Sequence, residues 1–442
     1  MNDNASQLSK GGGMSTVNDV IISFGDDSKR YSRDFQTKDE FKKSWYAVFS
    51  RAHASVEAKV SCSCKGKGQK SLSVKYNSGG DTYFLARYPN TGSQHSPDCI
   101  FFTLDKDNSG LKCYTQGVVK DLKDGGYGIR LAVALASSDS ESTSIVPADN
   151  RNTPGGVSQN SMSLLGLLQF LWEDSGLNRW YPKMAGKRNP GKVFNLITHS
   201  AEKIKVASHP LSMHLIVGAY PSTPQVMKNI KMTSDALKKK ERLICLNVLS
   251  KYNPEKHSNT SRRLPVKFFS GVPIVLMNTD NWASLEKRFS SEITNWRSGG
   301  NVICIAIGDL GQFKGNDTYY LKTLQIALMN VDDNWIPADS SYELTMLNYL
   351  HKHERSFIKP LRYDASNNDV FPDFCLTDIG STELFPIEVF GMDTASYLAR
   401  KVIKESYYNE RYGKDGWASW EAPAGPLPIC PIRPAVNYQM LL

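Results

Sequence analysis

The chain has 442 residues, 40% hydrophobic and 22% charged, a composition typical of a folded globular protein with two or three domains. Its 53 Lys and Arg residues against 44 Asp and Glu residues give a net charge of +9, which favours an anionic partner such as nucleic acid. No stretch reaches the roughly 20 apolar residues of a membrane-spanning helix, and the N-terminus lacks an apolar signal-peptide core, so we expect a cytoplasmic protein without membrane contact.

The first third of the chain is predicted to form a small β module. Residues 1–16 are polar and rich in Gly and Ser, which predicts disorder. Apolar residues at helical spacing predict a helix over 38–54, and alternating residues predict strands over 71–76 and 82–88 joined by a hairpin turn. These elements predict one folded unit over 17–136.

Four potential metal ligands lie within this module. The pattern is Cys62-x-Cys64, then 30 residues, then His95-x3-Cys99, so two close pairs flank the predicted hairpin. Structural Zn²⁺ sites use four thiolate and imidazole ligands in tetrahedral geometry, and the pattern therefore predicts a structural zinc site. The alternative is a set of buried thiols and a surface histidine without metal.

The same module carries basic residues interleaved with tyrosines. Such a pattern is typical of surfaces that follow a nucleic-acid backbone and stack on its bases. A solvated charged face without a ligand is the alternative. The basic residues that we predict to bind nucleic acid are Lys65, Lys67, Lys70 and Arg87.

A Ser-, Asn-, Pro- and Gly-rich stretch at 137–161 predicts a linker or long loop, and residues 162–340 are predicted to form a central α+β domain. Apolar periodicity predicts a helix over 163–173 and a second helix with Trp282 and Trp296 on its buried face. Strands are predicted at 242–249, 264–268, 273–277, 302–307 and 323–331.

The last folded unit is predicted over 341–415, followed by an irregular Pro-rich tail at 416–442. Its elements are predicted in the order helix, strand, strand, strand, helix. The helices are placed at 342–354 and 394–412, and the strands at 357–363, 372–377 and 385–390.

Two acidic residues fall on neighbouring strands of this unit. Asp373 begins one predicted strand and Glu388 lies within the next, and the short connection predicts antiparallel pairing. Carboxylates suit Mg²⁺, which can generate a hydroxide that attacks a phosphodiester, and Glu343 on the preceding helix is an optional third ligand. The alternative is structural: Asp373 caps a strand, and Glu388 forms an ion pair with Lys401 or Arg400.

This order of elements and acids resembles the PD-(D/E)XK nuclease superfamily, whose core carries Asp and then Glu-x-Lys on neighbouring strands. Phe390 stands where the superfamily has its lysine. Lys401 and Lys404 share a face of the following helix, and either is a candidate to stabilise the phosphate during cleavage. The resemblance implies a restriction-endonuclease-like α/β core in an α+β multidomain protein.

The chain also contains a set of short stretches that occur together in one bacterial family: Cys62-Ser63-Cys64, Arg87-Tyr88-Pro89-Asn90-Thr91-Gly92, His95-Ser96-Pro97-Asp98-Cys99, Leu171-Trp172-Glu173, Gly176-Leu177-Asn178-Arg179-Trp180, Gly186-Lys187-Arg188, Asn334-Trp335-Ile336-Pro337 and Phe357-Ile358-Lys359-Pro360-Leu361-Arg362-Tyr363. Through these stretches, most of residues 40–365 are similar to the bacterial family catalogued as domain of unknown function 1173. The family is often encoded on plasmids and integrative elements, which implies DNA and other mobile-element proteins as partners. We therefore hypothesise a Mg²⁺-dependent endonuclease acting on nucleic acid, with DNA expected, or else a non-catalytic DNA-binding or adaptor protein, or an interaction scaffold.

Overall fold

A computed structural model shows a mixed α+β protein with four β-sheets in the part of the chain that it describes. Within that part, no helix is both long enough and apolar enough to cross a membrane. The structure describes residues 17–77, 82–88, 91–104, 110–114, 117–137, 160–257, 261–361, 363, 370–379, 384–392, 394–422 and 424–431.

The N-terminal sheet has five antiparallel strands in the order β2-β1-β3-β4-β5. The predicted helix and the two predicted strands are confirmed, and Ala52 on α2 is buried in the hydrophobic core of this sheet and its helices. The predicted disordered N-terminus and most of the hairpin turn lie outside the described residues. The elements are β1 (Val20–Phe24), β2 (Asp27–Tyr31), α1 (Arg33–Thr37), α2 (Lys42–Ala54), β3 (Ala58–Cys62), β4 (Ser71–Asn77) and β5 (Thr82–Arg87).

A second sheet joins the first third of the chain to the central region. Its order is β10-β9-β7-β6, and the parallel pairing of Tyr127 on β7 with Ile204 on β9 crosses the predicted linker. Tyr127 and Ile129 are buried in the central hydrophobic core, so β7 packs with the central region. Nearly all of the predicted linker lies outside the described residues. The elements are β6 (Val119–Asp121), β7 (Tyr127–Ile129), α3 (Leu164–Asp174), β8 (Arg179–Trp180), α4 (Pro190–Glu202), β9 (Ile204–Val206) and β10 (His209–Pro210).

The central sheet has the order β11-β12-β14-β15-β13, and the wholly buried helix α3 packs on β14 and β15. The predicted strand at 264–268 forms a single isolated bridge, between Val266 and Leu249. The predicted helix over residues 282–296 is broken at Phe289, although Trp282 and Trp296 are both buried as expected. The elements are β11 (Leu215–Val217), α5 (Pro224–Lys239), β12 (Leu243–Val248), β13 (Ile274–Leu276), α6 (Thr279–Arg288), α7 (Ser290–Arg297), β14 (Asn301–Gln312) and β15 (Tyr319–Val331).

The C-terminal sheet has the order β19-β18-β17-β16-β8. The predicted order of helix and strands is confirmed, but the strand predicted at 357–363 is only two residues long. Two strands were not predicted: β8 comes from the central region, and β19 forms within the tail expected to be irregular because it pairs in parallel with β18. The elements are α8 (Ser341–Lys352), β16 (Phe357–Ile358), β17 (Phe374–Leu376), β18 (Phe385–Phe390), α9 (Ala395–Tyr412) and β19 (Ala418–Glu421).

Candidate metal centre and acidic site

The four predicted zinc ligands converge in one buried cluster. Cys62 ends β3, Cys64 follows it, and His95 and Cys99 lie in the loop after β5. Their exposed fractions are between 0% and 3%, and their ligand atoms all lie within 4.8 Å of one another. Among the described residues this is the one group of three or more His, Cys, Asp or Glu side chains close enough to hold a metal ion.

The spacing of the ligand atoms matches a tetrahedron. The Sγ atoms of Cys62 and Cys99 are 3.7 Å apart, and Nδ1 of His95 lies 3.5 Å from Sγ of Cys64 and 3.6 Å from Sγ of Cys99. Tetrahedral Zn²⁺ with ordinary bond lengths would separate two sulfurs by ~3.8 Å and a sulfur from a nitrogen by ~3.6 Å. The cluster can therefore accept a metal ion such as zinc with little rearrangement, through Nδ1 of His95.

The Cys99 thiol holds its proton when no cation is bound. The neighbouring Cys62 thiol and burial raise the pKa of Cys99 to about 12, so without a cation this group stays protonated at neutral pH. Since a metal binds the thiolate, metal binding at neutral pH releases protons.

Close backbone packing shapes the Cys62-x-Cys64 turn. The ammonium of Lys70 donates to the carbonyl oxygens of Cys64 and Gly66, at 2.8 and 2.9 Å. A Cβ atom at Gly66 would collide with the carbonyl oxygen of Gln94, so glycine permits the two ligand-bearing loops to touch. Lys70, which was predicted to bind nucleic acid, therefore stabilises the metal-binding turn instead.

The four basic residues predicted to bind nucleic acid divide into two groups. Lys65 and Lys67 are exposed on the turn after Cys64. Lys70 and Arg87 contact protein groups instead, and the guanidinium of Arg87 lies 3.4 Å from the buried carboxylate of Asp174 at the end of α3. Only the first two present their charges to solvent.

The two predicted catalytic acids face each other across neighbouring strands. Antiparallel pairing of Phe374 with Ile387 places Asp373 opposite Glu388 one residue further along. Both are buried, with 3% and 1% of their surface exposed, and Oδ2 of Asp373 accepts a 2.7 Å hydrogen bond from the backbone amide of Val389.

Of the two candidate lysines on α9, Lys404 reaches this acidic pair. Its ammonium binds Oε1 of Glu388, while the hydroxyl of Tyr408 donates to Oε2 at 3.0 Å. Burial and the Glu388 carboxylate raise the pKa of Tyr408, so its hydroxyl keeps its proton. The ammonium of Lys401 lies 2.6 Å from Glu421 on β19. An ion pair at Glu388, anticipated with Lys401 or Arg400, is thus formed with Lys404.

Glu343 pairs with a residue that sequence reasoning missed. Lys359 follows β16, is completely buried, and places its ammonium 3.0 Å from Oε2 of Glu343 and 3.7 Å from Asp339. Burial raises the pKa of Glu343 to about 7, against the opposing effect of the Lys359 charge. Within the described residues Glu343 does not join Asp373 and Glu388 in a three-carboxylate cluster. A lysine inside the apolar run 357–361 was the available signal, because a buried charge needs a partner.

A second buried charge cluster joins the N-terminal module to the central region. Besides Arg87, Asp174 binds the ammonium of Lys203 and the hydroxyl of Ser200. The adjacent Glu173 is also buried, and burial raises its pKa to about 7 while Arg87 opposes that change. Through Arg87, the cluster links the N-terminal module to the ends of α3 and α4 in the central region.

The fold and its sites define a mixed α+β protein with a buried Cys/His cluster that can hold a metal ion and a separate buried acid–lysine cluster. The chain belongs to the DUF1173 family, described as proteins of unknown function, and the family model matches residues 33–420. The predicted family membership is therefore confirmed. No curated protein and no solved structure matches the chain.

Proposed function

We propose that the chain is a metal-dependent nucleic-acid endonuclease in which Asp373 and Glu388 bind Mg²⁺ and Lys404 contacts the phosphate. The observation that carries the proposal is the placement of two opposed carboxylates, one immediately before β17 and one on β18, beside an ammonium from α9. Bound Mg²⁺ would supply a water of lowered pKa and neutralise phosphate charge.

The donor set fits a hard divalent cation. Both side chains offer carboxylate oxygens, and Asp373 is held in place by the backbone amide of Val389. Oε1 of Glu388 is the atom that Lys404 binds, so a metal and the ammonium compete for it. Displaced from Glu388, the Lys404 side chain, which is 15% exposed, would offer its charge to a phosphate oxygen instead.

The surrounding fold supports the same proposal. The unit begins with α8, continues through three antiparallel strands and ends with α9 and β19. That order is the basis of the proposed restriction-endonuclease-like core. Phe390 stands where the PD-(D/E)XK superfamily has its catalytic lysine, and in the proposal Lys404 on α9 contacts the phosphate in its place.

Substrate binding is proposed for the N-terminal module. Its exposed Lys65 and Lys67 stand on the turn that the metal cluster fixes, which would hold two cations at constant spacing toward a phosphate backbone. Together with the net charge of +9, this favours nucleic acid as the partner, with DNA the expected substrate in a mobile-element setting.

One observation favours a second candidate, a non-catalytic nucleic-acid-binding or adaptor protein. Asp373 and Glu388 are almost fully buried, and Glu388 is already bound by Lys404 and Tyr408. A buried ion pair of this kind also occurs as a purely structural element. In that case the C-terminal unit would bind partners without turnover.

The test is plasmid nicking by the purified full chain in the presence of Mg²⁺. Wild type should nick supercoiled plasmid, and Asp373→Asn and Glu388→Gln should lose the activity because each removes a metal-binding charge. Glu410→Gln, at an exposed position on α9, is the matched control and should cleave normally. Equal background in all four proteins would refute the nuclease, and salt-sensitive gel shifts without cleavage would select the second candidate.

A further inference from the structure

The loop that carries two of the metal ligands is held by an arginine from outside its own module. Arg179 lies on β8, in the C-terminal sheet, and its guanidinium also stacks 5.7 Å from the ring of Phe102. It donates to four backbone carbonyl oxygens of the ligand loop: Phe102 at 2.8 Å, Cys99 at 3.0 Å, Pro97 at 3.1 Å and Ile100 at 3.4 Å.

The shape of the loop explains why an arginine occupies this position. The amide of Cys99 donates to Ser96 and the amide of Phe102 donates to Cys99, so successive tight turns direct several carbonyl groups toward one point. A guanidinium carries five donors in a planar fork and can satisfy several carbonyls at once. Arg179 thus ties together the carbonyl groups of the loop that bears His95 and Cys99.

The charge of the metal-loaded cluster also favours a cation at the position of Arg179. Three thiolates, one neutral imidazole and one divalent cation give the loaded cluster a net charge of −1. The Cys62-x-Cys64 turn is backed by the ammonium of Lys70, and the loop bearing Cys99 is backed by the guanidinium of Arg179. Each half of the cluster is thus faced by one cation, and the second cation belongs to another sheet.

Beyond Arg179, hydrogen bonds continue to the buried pair of Lys359 and Glu343. Arg179 pairs with Ile358 between β8 and β16. The neighbouring Asn178 donates its side-chain amide to the carbonyl oxygen of Lys359 at 2.9 Å and accepts from the Lys359 backbone amide at 2.8 Å. The ammonium of Lys359 in turn contacts Glu343.

We propose that Arg179 is a positioning residue that couples metal binding at the Cys/His cluster to the order of the β8–β16 edge of the C-terminal sheet. Metal fixes the carbonyl groups that Arg179 binds, and Arg179 fixes the strand that supports Lys359. Coupling of this kind is reciprocal, so Arg179 also strengthens metal binding. The coupling does not depend on whether the protein cleaves nucleic acid.

The first test is the zinc affinity of the full chain, measured by competition with a chromophoric chelator. Arg179→Lys keeps the charge but cannot span four carbonyls, and it should weaken zinc binding by about 10- to 100-fold, the range for groups that support metal ligands. Arg242→Lys is the matched control: Arg242 is also buried and binds Asp309 and a carbonyl, that of Ala134, but lies in the central region. Unchanged affinity in Arg179→Lys, or equal weakening in both variants, would overturn the proposal.

The second test reads the coupling in the wild-type protein by hydrogen exchange with and without zinc. Zinc should slow exchange in peptides around Cys64 and also in peptides covering 176–181 and 357–361. In Arg179→Lys the slowing should persist around Cys64 and disappear from the two distant peptides. If that variant fails to fold, the wild-type comparison decides alone, since zinc protection confined to the N-terminal module contradicts the coupling.

Discussion

The buried carboxylate of Glu173 makes the stability of the protein depend on pH in a calculable way. Burial raises its pKa from 4.5 to about 7, with Arg87 opposing the change. Because the folded state holds this proton more tightly, the stabilisation is complete below pH 4.5 and is lost as the pH rises through 7. The difference between the two pKa values corresponds to about 3 kcal/mol.

Glu173→Gln replaces the carboxyl by a neutral group of the same shape, so the variant should escape this loss. Relative to wild type, we expect a small change at pH 5 and a free energy of unfolding higher by up to about 3 kcal/mol at pH 8. Urea denaturation at both pH values measures the difference, with the exposed Glu40→Gln as control. An effect of the same size at both pH values, or a less stable variant at pH 8, would refute the reasoning.

Three further predictions follow from the two candidate sites. Purified protein should contain about one zinc per chain by metal analysis, and Cys99→Ser should lose both the metal and the folded N-terminal module; a metal-free, fully folded wild type would contradict this. Lys404→Met should lower the free energy of unfolding, measured by urea denaturation, by about 3 kcal/mol, because it leaves the buried Glu388 without its cation. The decrease should be smaller in a Glu388→Gln background, and an equal decrease in both backgrounds argues against the ion pair. Gly66→Ala should weaken zinc binding in the chelator competition, since its Cβ pushes the ligand loops apart, and unaltered affinity would show that the loops yield without strain.

Local sequence pattern was sufficient to bring the four Cys and His residues together and to place the helices and strands with clear periodicity, such as α2, β4 and β5. Cys62, Cys64, His95 and Cys99 stand in two close pairs, and the strands between them bring the pairs together. The antiparallel pairing that places Asp373 opposite Glu388 was also predictable, because only a short connection joins the two strands. In both cases the groups that meet are close in sequence or joined by one hairpin, so few chain conformations compete with the observed arrangement.

Contacts between distant segments were beyond the reach of such patterns. β8 is only two residues long and pairs with a strand almost 180 residues later, so neither alternation nor length marks it in the sequence. The roles of Lys70 and Arg179 were equally hidden, because the sequence shows a positive charge but not whether its partner is a phosphate or a backbone carbonyl. The partners of Lys70 lie only four and six residues earlier in the chain, whereas Arg179 binds its partners from a different sheet.

The central proposal, that Asp373 and Glu388 bind a hard divalent cation, is tested most directly by Mn²⁺ binding followed by electron paramagnetic resonance on the zinc-loaded protein. Mn²⁺ prefers oxygen ligands, as Mg²⁺ does, and its free and bound forms are distinguished without any substrate. Wild type should bind about one Mn²⁺, and Asp373→Asn and Glu388→Gln should each abolish that binding. Identical Mn²⁺ binding by all three proteins, or none by wild type, would contradict the proposed site.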